Sequence, residues 1–397
     1  MSRIVEPISI FNKWSGIKST NDGSYIIATS QFFYPMDVSF YVNLIREDRD
    51  ELVATEIWPS GYCNQHCVFC SSKTFGLNDK RILEVDVLKK LIQDLSLAGN
   101  KLVRFSGGGE PFTLKGMGSL TELVAYKGMC SLFITNGSLL NTKEIDALAK
   151  FSSVARVSFN GGNRKDYLAV HGTDHFDVVV DNMHRLSARR VFENRESELL
   201  LGTTFVVTPK NFKHISEAAS TVRGCGFDFM LIRGLNPIRH RFTGSDYDIL
   251  NEELQKSHAL KGGNFFVSGS ITKLDGSREK KKPHPRCYVS NFRLFVDSSG
   301  DTYPCFSAIM HRQKTFGSIY QNTPKGIWGN SDHVKSKKEL NDGLLHRFCT
   351  NFCDHVEFNA FVSWVKEQLN QNAQSKFRRI PKTWAIKFFD STHEEIF

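Results

Sequence analysis

Long apolar runs are missing from this 397-residue sequence, although hydrophobic residues make up 40% of it. No stretch approaches the length needed to cross a bilayer, which excludes a bundle of membrane-spanning helices. The opening residues, Met1 to Pro7, do not begin a signal peptide. The expected compartment is the cytoplasm, with no membrane partner. There the nine cysteines are reduced thiols and build no disulfide framework. Acidic residues are in deficit, 42 against 51 Lys and Arg, and the formal charge is +9. That balance favours anionic partners, such as a phosphorylated or nucleotide-linked metabolite or an acidic peptide. An interleaved basic–aromatic stretch and a recognisable RNA-binding module are both lacking, so the charge alone does not make a nucleic-acid binder. The densest basic run, Arg278 to Lys282, reads as a solvated linker ahead of Cys287.

What is present is concentrated in two short segments. Cys63, Cys67 and Cys70 form a Cys-x3-Cys-x2-Cys triplet, with Phe69 just before the last cysteine. Forty residues after Cys70 comes Glu110, closing the glycine turn Gly107-Gly108-Gly109-Glu110-Pro111. Three thiolates at this spacing can hold three corners of a cubane iron–sulfur cluster and leave the fourth iron open, which marks a chemical rather than a structural site. A zinc ion is the competing occupant, but structural zinc wants four ligands and usually a second Cys-x2-Cys knuckle. The glycine string taken alone is only a turn.

From residue 51 the signals for strand and helix alternate. Strands are expected at 52–57, 102–105, 131–135, 154–158, 199–207 and 227–233. Helices are expected around Leu88 to Leu95, which Gly99 stops, and near 117–127, 142–150, 176–188 and 214–223. Six such repeats in about 190 residues predict parallel strands with helices outside, a partial barrel. Both leading motifs then sit at carboxyl ends of strands, where chemistry gathers in such folds. Ahead of the barrel, 25–28 and 38–42 read as short strands.

The triplet and the glycine turn together resemble the radical S-adenosylmethionine (SAM) superfamily. The resemblance implies an α/β fold, a partial (β/α)6 TIM-like barrel over residues 51–240 behind an extension at 1–50. It implies a [4Fe–4S] cluster on Cys63, Cys67 and Cys70, exchangeable SAM on the open iron, and reductive cleavage of SAM to a 5′-deoxyadenosyl radical. A flavodoxin- or ferredoxin-type reductase would supply the electron. By position, Phe69 would lie near the adenine, and Gly107, Gly108 and Gly109 would let the backbone approach the methionyl end. Glu110 would receive its ammonium. Ser158 and Asn160, in Ser158-Phe159-Asn160-Gly161, resemble the segment that contacts the SAM ribose and carboxylate. The arginine that many relatives place shortly afterwards has no counterpart between Tyr167 and Gly172.

A second cysteine set lies downstream. Cys287 and Cys305 stand at the two bases of an expected β-hairpin, 294–296 and 302–303, turned at Asp297 to Gly300. Cys349 and Cys353 precede a helical pattern with Val356, Phe361, Val362, Trp364 and Val365 on its apolar side. The pattern resembles the Twitch domain, the shorter relative of the SPASM domain, and implies one auxiliary [4Fe–4S] cluster on these four cysteines. A four-cysteine zinc site is the alternative, though Cys-x17-Cys is long for a knuckle. This small α+β domain is expected over 286–370, after linker and substrate loops at 241–285 and before a tail at 371–397. Cys130 and Cys225 are left over as small buried residues. Arg233 and His171 are catalytic candidates by position; Cys225 is one by resemblance, as a hydrogen donor to a substrate radical like the cysteine of some radical-SAM epimerases, although it is expected on the amino-terminal side of its strand, opposite the active face. The expected reaction is oxidation or epimerisation of a small polar metabolite (a sugar, aminocyclitol or nucleoside) at an unactivated C–H. The alternative is cross-linking, thioether formation or epimerisation in a ribosomally made peptide.

Overall fold

The computed structural model describes residues 17–19, 25–29 and 32–36 as strands, then 50–77, 79–234, 242–269, 286–310 and 315–341, with Asn359 and Ser363. The first three strands, β1 (Ile17–Ser19), β2 (Tyr25–Thr29) and β3 (Phe32–Met36), form an antiparallel meander. The strand expected at 38–42 lies outside the described residues, as do Cys349, Cys353 and the helical pattern from Val356 to Val365 apart from its two described positions.

Beyond the meander, β4 (Ala54–Ile57), β5 (Leu102–Phe105), β6 (Cys130–Thr135), β7 (Val154–Ser158), β8 (Leu200–Val206) and β9 (Phe229–Arg233) lie side by side in chain order. Every neighbouring pair is parallel, because a helical crossover separates each strand from the next. The crossover helix Val85–Leu97 buries Leu88, Leu91, Ile92 and Leu95, one stripe at helical spacing, and Gly99 at φ 87° turns the chain away from it. Helices Met117–Tyr126, Thr142–Phe151, Phe176–Phe192 and Ile215–Gly224 complete the outer layer.

The two faces of this sheet are chemically distinct. Val103, Phe105, Phe133, Ala155, Val157, Leu201, Met230 and Ile232 belong to the apolar core under the helices. The alternate residues, facing the other way, include Glu56, Arg104, Arg156, Ser158, Thr204 and Arg233, which the pairing register puts on one concave face. The strands therefore read as near-continuous apolar runs interrupted by single charges, and those charges share the inner face.

Two departures from the sequence expectation concern the edges. Residues 241–285, expected as linker and loops, contain a helix, Gly244–Ala259, and a strand, β10 (Phe266–Ser268), that adds in parallel to β9. A capping box between Thr243 and Asp246 starts that helix. At the opposite edge, β11 (Arg293–Val296) pairs in parallel with β4 and turns into β12 (Thr302–Tyr303). The hairpin between Cys287 and Cys305 is thus hydrogen-bonded into the barrel sheet, which has nine strands among the described residues. Glu56 of β4 pairs there with Arg293, and Ser298 of the hairpin turn donates to Asp79 at 3.0 Å.

Candidate functional site

The chain leaving β4 forms the loop that carries the three cysteines, and the loop is fastened to the carboxyl ends of three further strands. Toward β5, Gly109 N donates to the Ser60 carbonyl at 3.1 Å and Glu110 N to the Tyr62 carbonyl at 2.8 Å. Toward β6, Asn136 donates to Asn64 at 2.8 Å, and Asn64 donates to Ser138 at 2.9 Å. Toward β7, the amides of His66 and Val68 donate to the carbonyls of His171 and Val170, each at 2.9 Å. Residues that the chain spaces far apart are held as one platform.

The glycines explain how two loops come so close. A Cβ on Gly109 would land on the Tyr62 carbonyl, one on Gly108 would meet the Trp58 ring at 2.9 Å, and one on Gly107 would strike the Gly109 carbonyl. The missing side chain of Gly109 is thus taken up by the cysteine loop, that of Gly108 by the Trp58 ring and that of Gly107 by the turn itself. Trp58 in turn packs on Phe295 and Phe306, with ring centroids at 5.0 and 5.5 Å, so an aromatic wedge joins β4 to the C-terminal hairpin.

Cys63, Cys67 and Cys70 are each half-buried and share one electrostatic environment. Burial pushes the Cys63 thiol up to about 11, and the nearby charges of Glu110 and Cys70 add to it. Burial raises Cys67 further, again helped by Cys63 and Cys70. Cys70 caps the short helix Ser71–Thr74, its sulfur accepting from Lys73 N at 3.5 Å. Thiols in this state lose their protons when a cation binds them. Among the described residues no three His, Cys, Asp or Glu side chains converge on a single metal ion.

Glu110 is 2% exposed. Its carboxylate accepts from Thr135 Oγ1 at 2.6 Å, Asn136 N at 2.7 Å and Phe112 N at 3.2 Å. Burial outweighs these donors and raises its pKa to about 7. No lysine, arginine or histidine among the described residues pairs with it, so a bound ammonium would complete the site. The donor types fit what the resemblance implies: three thiols on one loop for iron, and a buried carboxylate that pairs with no cation among the described residues.

His171 and Asn160 form the buried base of the platform, and both are 0% exposed. Asn160 Oδ1 accepts from Val206 N at 2.6 Å, while its backbone N–H donates to His171 Nε2 at 3.2 Å. Asn160, expected against SAM, therefore spends its side chain inside the protein. His171 stacks on Tyr167 with centroids 4.0 Å apart, and its Nδ1 lies 2.8 Å from Gln65 Oε1 and 3.5 Å from Cys67 Sγ. Burial lowers its pKa to about 3, so the ring is neutral. It sits under a cysteine and not in a cleft, which is why it belongs to the scaffold of the site. Gln65, which sequence reasoning passed over, is the link: it is buried and donates to the Tyr167 hydroxyl at 2.9 Å.

The other candidates separate cleanly. Phe69 and Ser158 are half-buried at the carboxyl ends of β4 and β7. Arg233 ends β9 on the concave face. Cys225, offered as a hydrogen donor, is 3% exposed within the helix-side core, at the amino end of its strand, and cannot reach that face. Cys287 and Cys305 flank the hairpin, the former with its N–H donating to Asn341 at 3.3 Å.

The sequence matches the Radical SAM superfamily over residues 58–220 and, over residues 287–354, the SPASM family, described as an iron-sulfur cluster-binding domain. Among curated proteins, it is 26% identical to the Fe-coproporphyrin III synthase of Methanosarcina barkeri, covering 72% of this chain and 74% of that protein. It is 23% identical to the tungsten-containing aldehyde ferredoxin oxidoreductase cofactor-modifying protein of Pyrococcus furiosus, covering 77% and 90%. Among solved structures, SuiB of Streptococcus suis bound to the precursor peptide SuiA superposes with a TM-score of 0.56 at 16% identity, covering 76% of this chain and 69% of that one. No helix among the described residues is long and apolar enough to cross a membrane.

Proposed function

Because this chain belongs to the radical SAM superfamily and carries a SPASM-type iron–sulfur domain after its core, we propose that it oxidises a small, anionic, polar metabolite at an unactivated C–H. The superfamily's cofactors are SAM and a [4Fe–4S] cluster, with an auxiliary cluster in the C-terminal domain. When bound and reduced, they supply a 5′-deoxyadenosyl radical able to abstract hydrogen from carbon. Cys63, Cys67 and Cys70 hold the first cluster; Cys287, Cys305, Cys349 and Cys353 hold the auxiliary one. Glu110 takes the SAM ammonium, and Phe69 and Ser158 flank its adenine and ribose.

The observation that carries this reading is the packing of the cysteine loop onto the turn that bears Glu110, buried and with no cation partner among the described residues. The substrate class is supported by the concave face, where four arginines, Arg104, Arg156, Arg233 and Arg293, accompany the single carboxylate Glu56, which pairs with Arg104 and Arg293. Arginine is suited to carboxylate and phosphate groups. The two curated relatives described above are named for non-peptide molecules, a coproporphyrin and an enzyme cofactor. Loss of a proton and a second electron from the substrate radical would complete a two-electron oxidation, and an auxiliary cluster, held by the C-terminal cysteines, would supply an acceptor for that electron. The cell compartment is the cytoplasm, and a flavodoxin or ferredoxin donates the first electron.

The test is iron and sulfide analysis of the anaerobically reconstituted chain, followed by incubation with SAM, reductant and phosphorylated or nucleotide-linked sugars. About eight iron atoms per chain, falling to about four in Cys349→Ala/Cys353→Ala, is expected for two cubane clusters. Formation of 5′-deoxyadenosine with oxidised sugar supports the substrate class. Turnover of a precursor peptide in place of every sugar would overturn it.

A further inference from the structure

The base of the platform holds an imidazole whose protonation pattern is fixed by backbone geometry. The Val206 N–H can only donate, so Asn160 Oδ1 must face it at 2.6 Å, and Asn160 Nδ2 then faces His171 at 3.2 Å. The backbone N–H of Asn160 reaches the same ring nitrogen, Nε2, at 3.2 Å. Two donors converge on Nε2, which is therefore the bare nitrogen, and the ring proton sits on Nδ1. That proton faces Gln65 Oε1 at 2.8 Å and Cys67 Sγ at 3.5 Å. Gln65 is oriented in turn by its Nε2 donating to the Tyr167 hydroxyl at 2.9 Å.

We propose that His171 is a positioning residue whose neutral N–H, shared between Gln65 Oε1 and the sulfur of Cys67, raises the reduction potential of the cluster this cysteine binds. The proposal rests on the reading of Cys67 as a cluster ligand. The physics is direct: a hydrogen bond to a ligand sulfur draws electron density off it, and that favours the more negative, reduced cluster. Because His171 is deeply buried and fixed between Asn160 and Tyr167, the donor does not have to be recruited from solvent. The same contact orients the loop, since His171 also accepts, through its carbonyl, the His66 N–H at 2.9 Å.

The experiment is a redox titration of the reconstituted full-length enzyme, following the electron paramagnetic resonance signal that shifts when SAM is added. His171→Gln keeps an acceptor near the Nε2 position and loses the donor; His171→Phe keeps only the stack; His171→Asn keeps a donor near Nδ1. A charge-directed hydrogen bond of roughly 1.4 kcal/mol corresponds to a tenfold change in the reduction equilibrium, or about 59 mV for one electron. The Gln and Phe variants are expected to fall by about that much, with Asn close to wild type. If Gln and Phe lose iron while Asn retains it, the positioning half of the proposal is supported. Unchanged potentials in Gln and Phe with full iron content overturn it, as does equal loss of iron from all three variants. A wild-type protein with iron but no SAM-responsive signal, or with no iron, refutes the parent reading instead, so the two failures are distinguishable.

Discussion

Substituting Gly109 by alanine isolates the contact on which the candidate site depends. The new methyl group would occupy the position of the Tyr62 carbonyl oxygen, a backbone atom that no side-chain rotation can move aside. The turn and the cysteine loop must separate, which strains or breaks the bonds Gly109 N to Ser60 O and Glu110 N to Tyr62 O, at 3.1 and 2.8 Å. Two backbone hydrogen bonds are worth about 2 kcal/mol together, and overpacking adds about 1 to 3 kcal/mol, so the loss is about 3 to 5 kcal/mol. The thermal midpoint of the apoprotein should fall by about 4 to 6 °C, and iron bound after reconstitution should drop. Gly224 is the control: it ends a helix with open space around the added methyl, and its alanine variant should match wild type or gain slightly. A Gly109→Ala protein with an unchanged midpoint and a full complement of iron would refute the argument that the two loops need this glycine.

Two further outcomes follow from the same structure. Glu110→Gln removes the charge from a carboxylate that is buried and lacks a cation partner among the described residues, and SAM affinity should weaken roughly 10- to 100-fold by equilibrium binding, as expected for a charged hydrogen bond; unaltered affinity would remove Glu110 from the SAM site. Burial lowers the pKa of His333, between Phe316 and Trp328, from its ordinary 6.5 to about 4. The unfolded chain therefore binds the proton first, so stability is complete above pH 6.5 and declines as pH falls toward 4, by up to roughly 3 kcal/mol. His333→Phe should flatten that decline in denaturant titrations, and an unchanged slope would count against it.

Much of the barrel was legible because its physics is local. The apolar stripe of Leu88, Leu91, Ile92 and Leu95, and the four-residue run Leu102–Phe105, announce a helix and a buried strand without tertiary information. The helix Arg164–His171 was missed although Asn163 caps it and Gly172 at φ 66° ends it, because its eight residues carry too short an apolar pattern. Helix Gly244–Ala259 was missed for a similar reason: polar residues surround it on most sides, and only the Thr243–Asp246 box betrays its start. The site was half legible. The cysteines and Glu110 each lie in a short local motif, whereas Gln65 meets Tyr167 across 102 residues and His171 across 106, and no spacing rule spans such distances. Asn160 misled because an asparagine in a turn looks alike whether it faces a ligand or a buried imidazole.

The central claim is that the loop of Cys63, Cys67 and Cys70 binds a cluster on which SAM is split. The most direct measurement is the amount of 5′-deoxyadenosine released when the anaerobically reconstituted, dithionite-reduced chain is mixed with SAM, compared with Cys63→Ala prepared identically. The account predicts release by the wild-type chain and none above background from the variant. Intact SAM in both samples, or equal release from both, would contradict it.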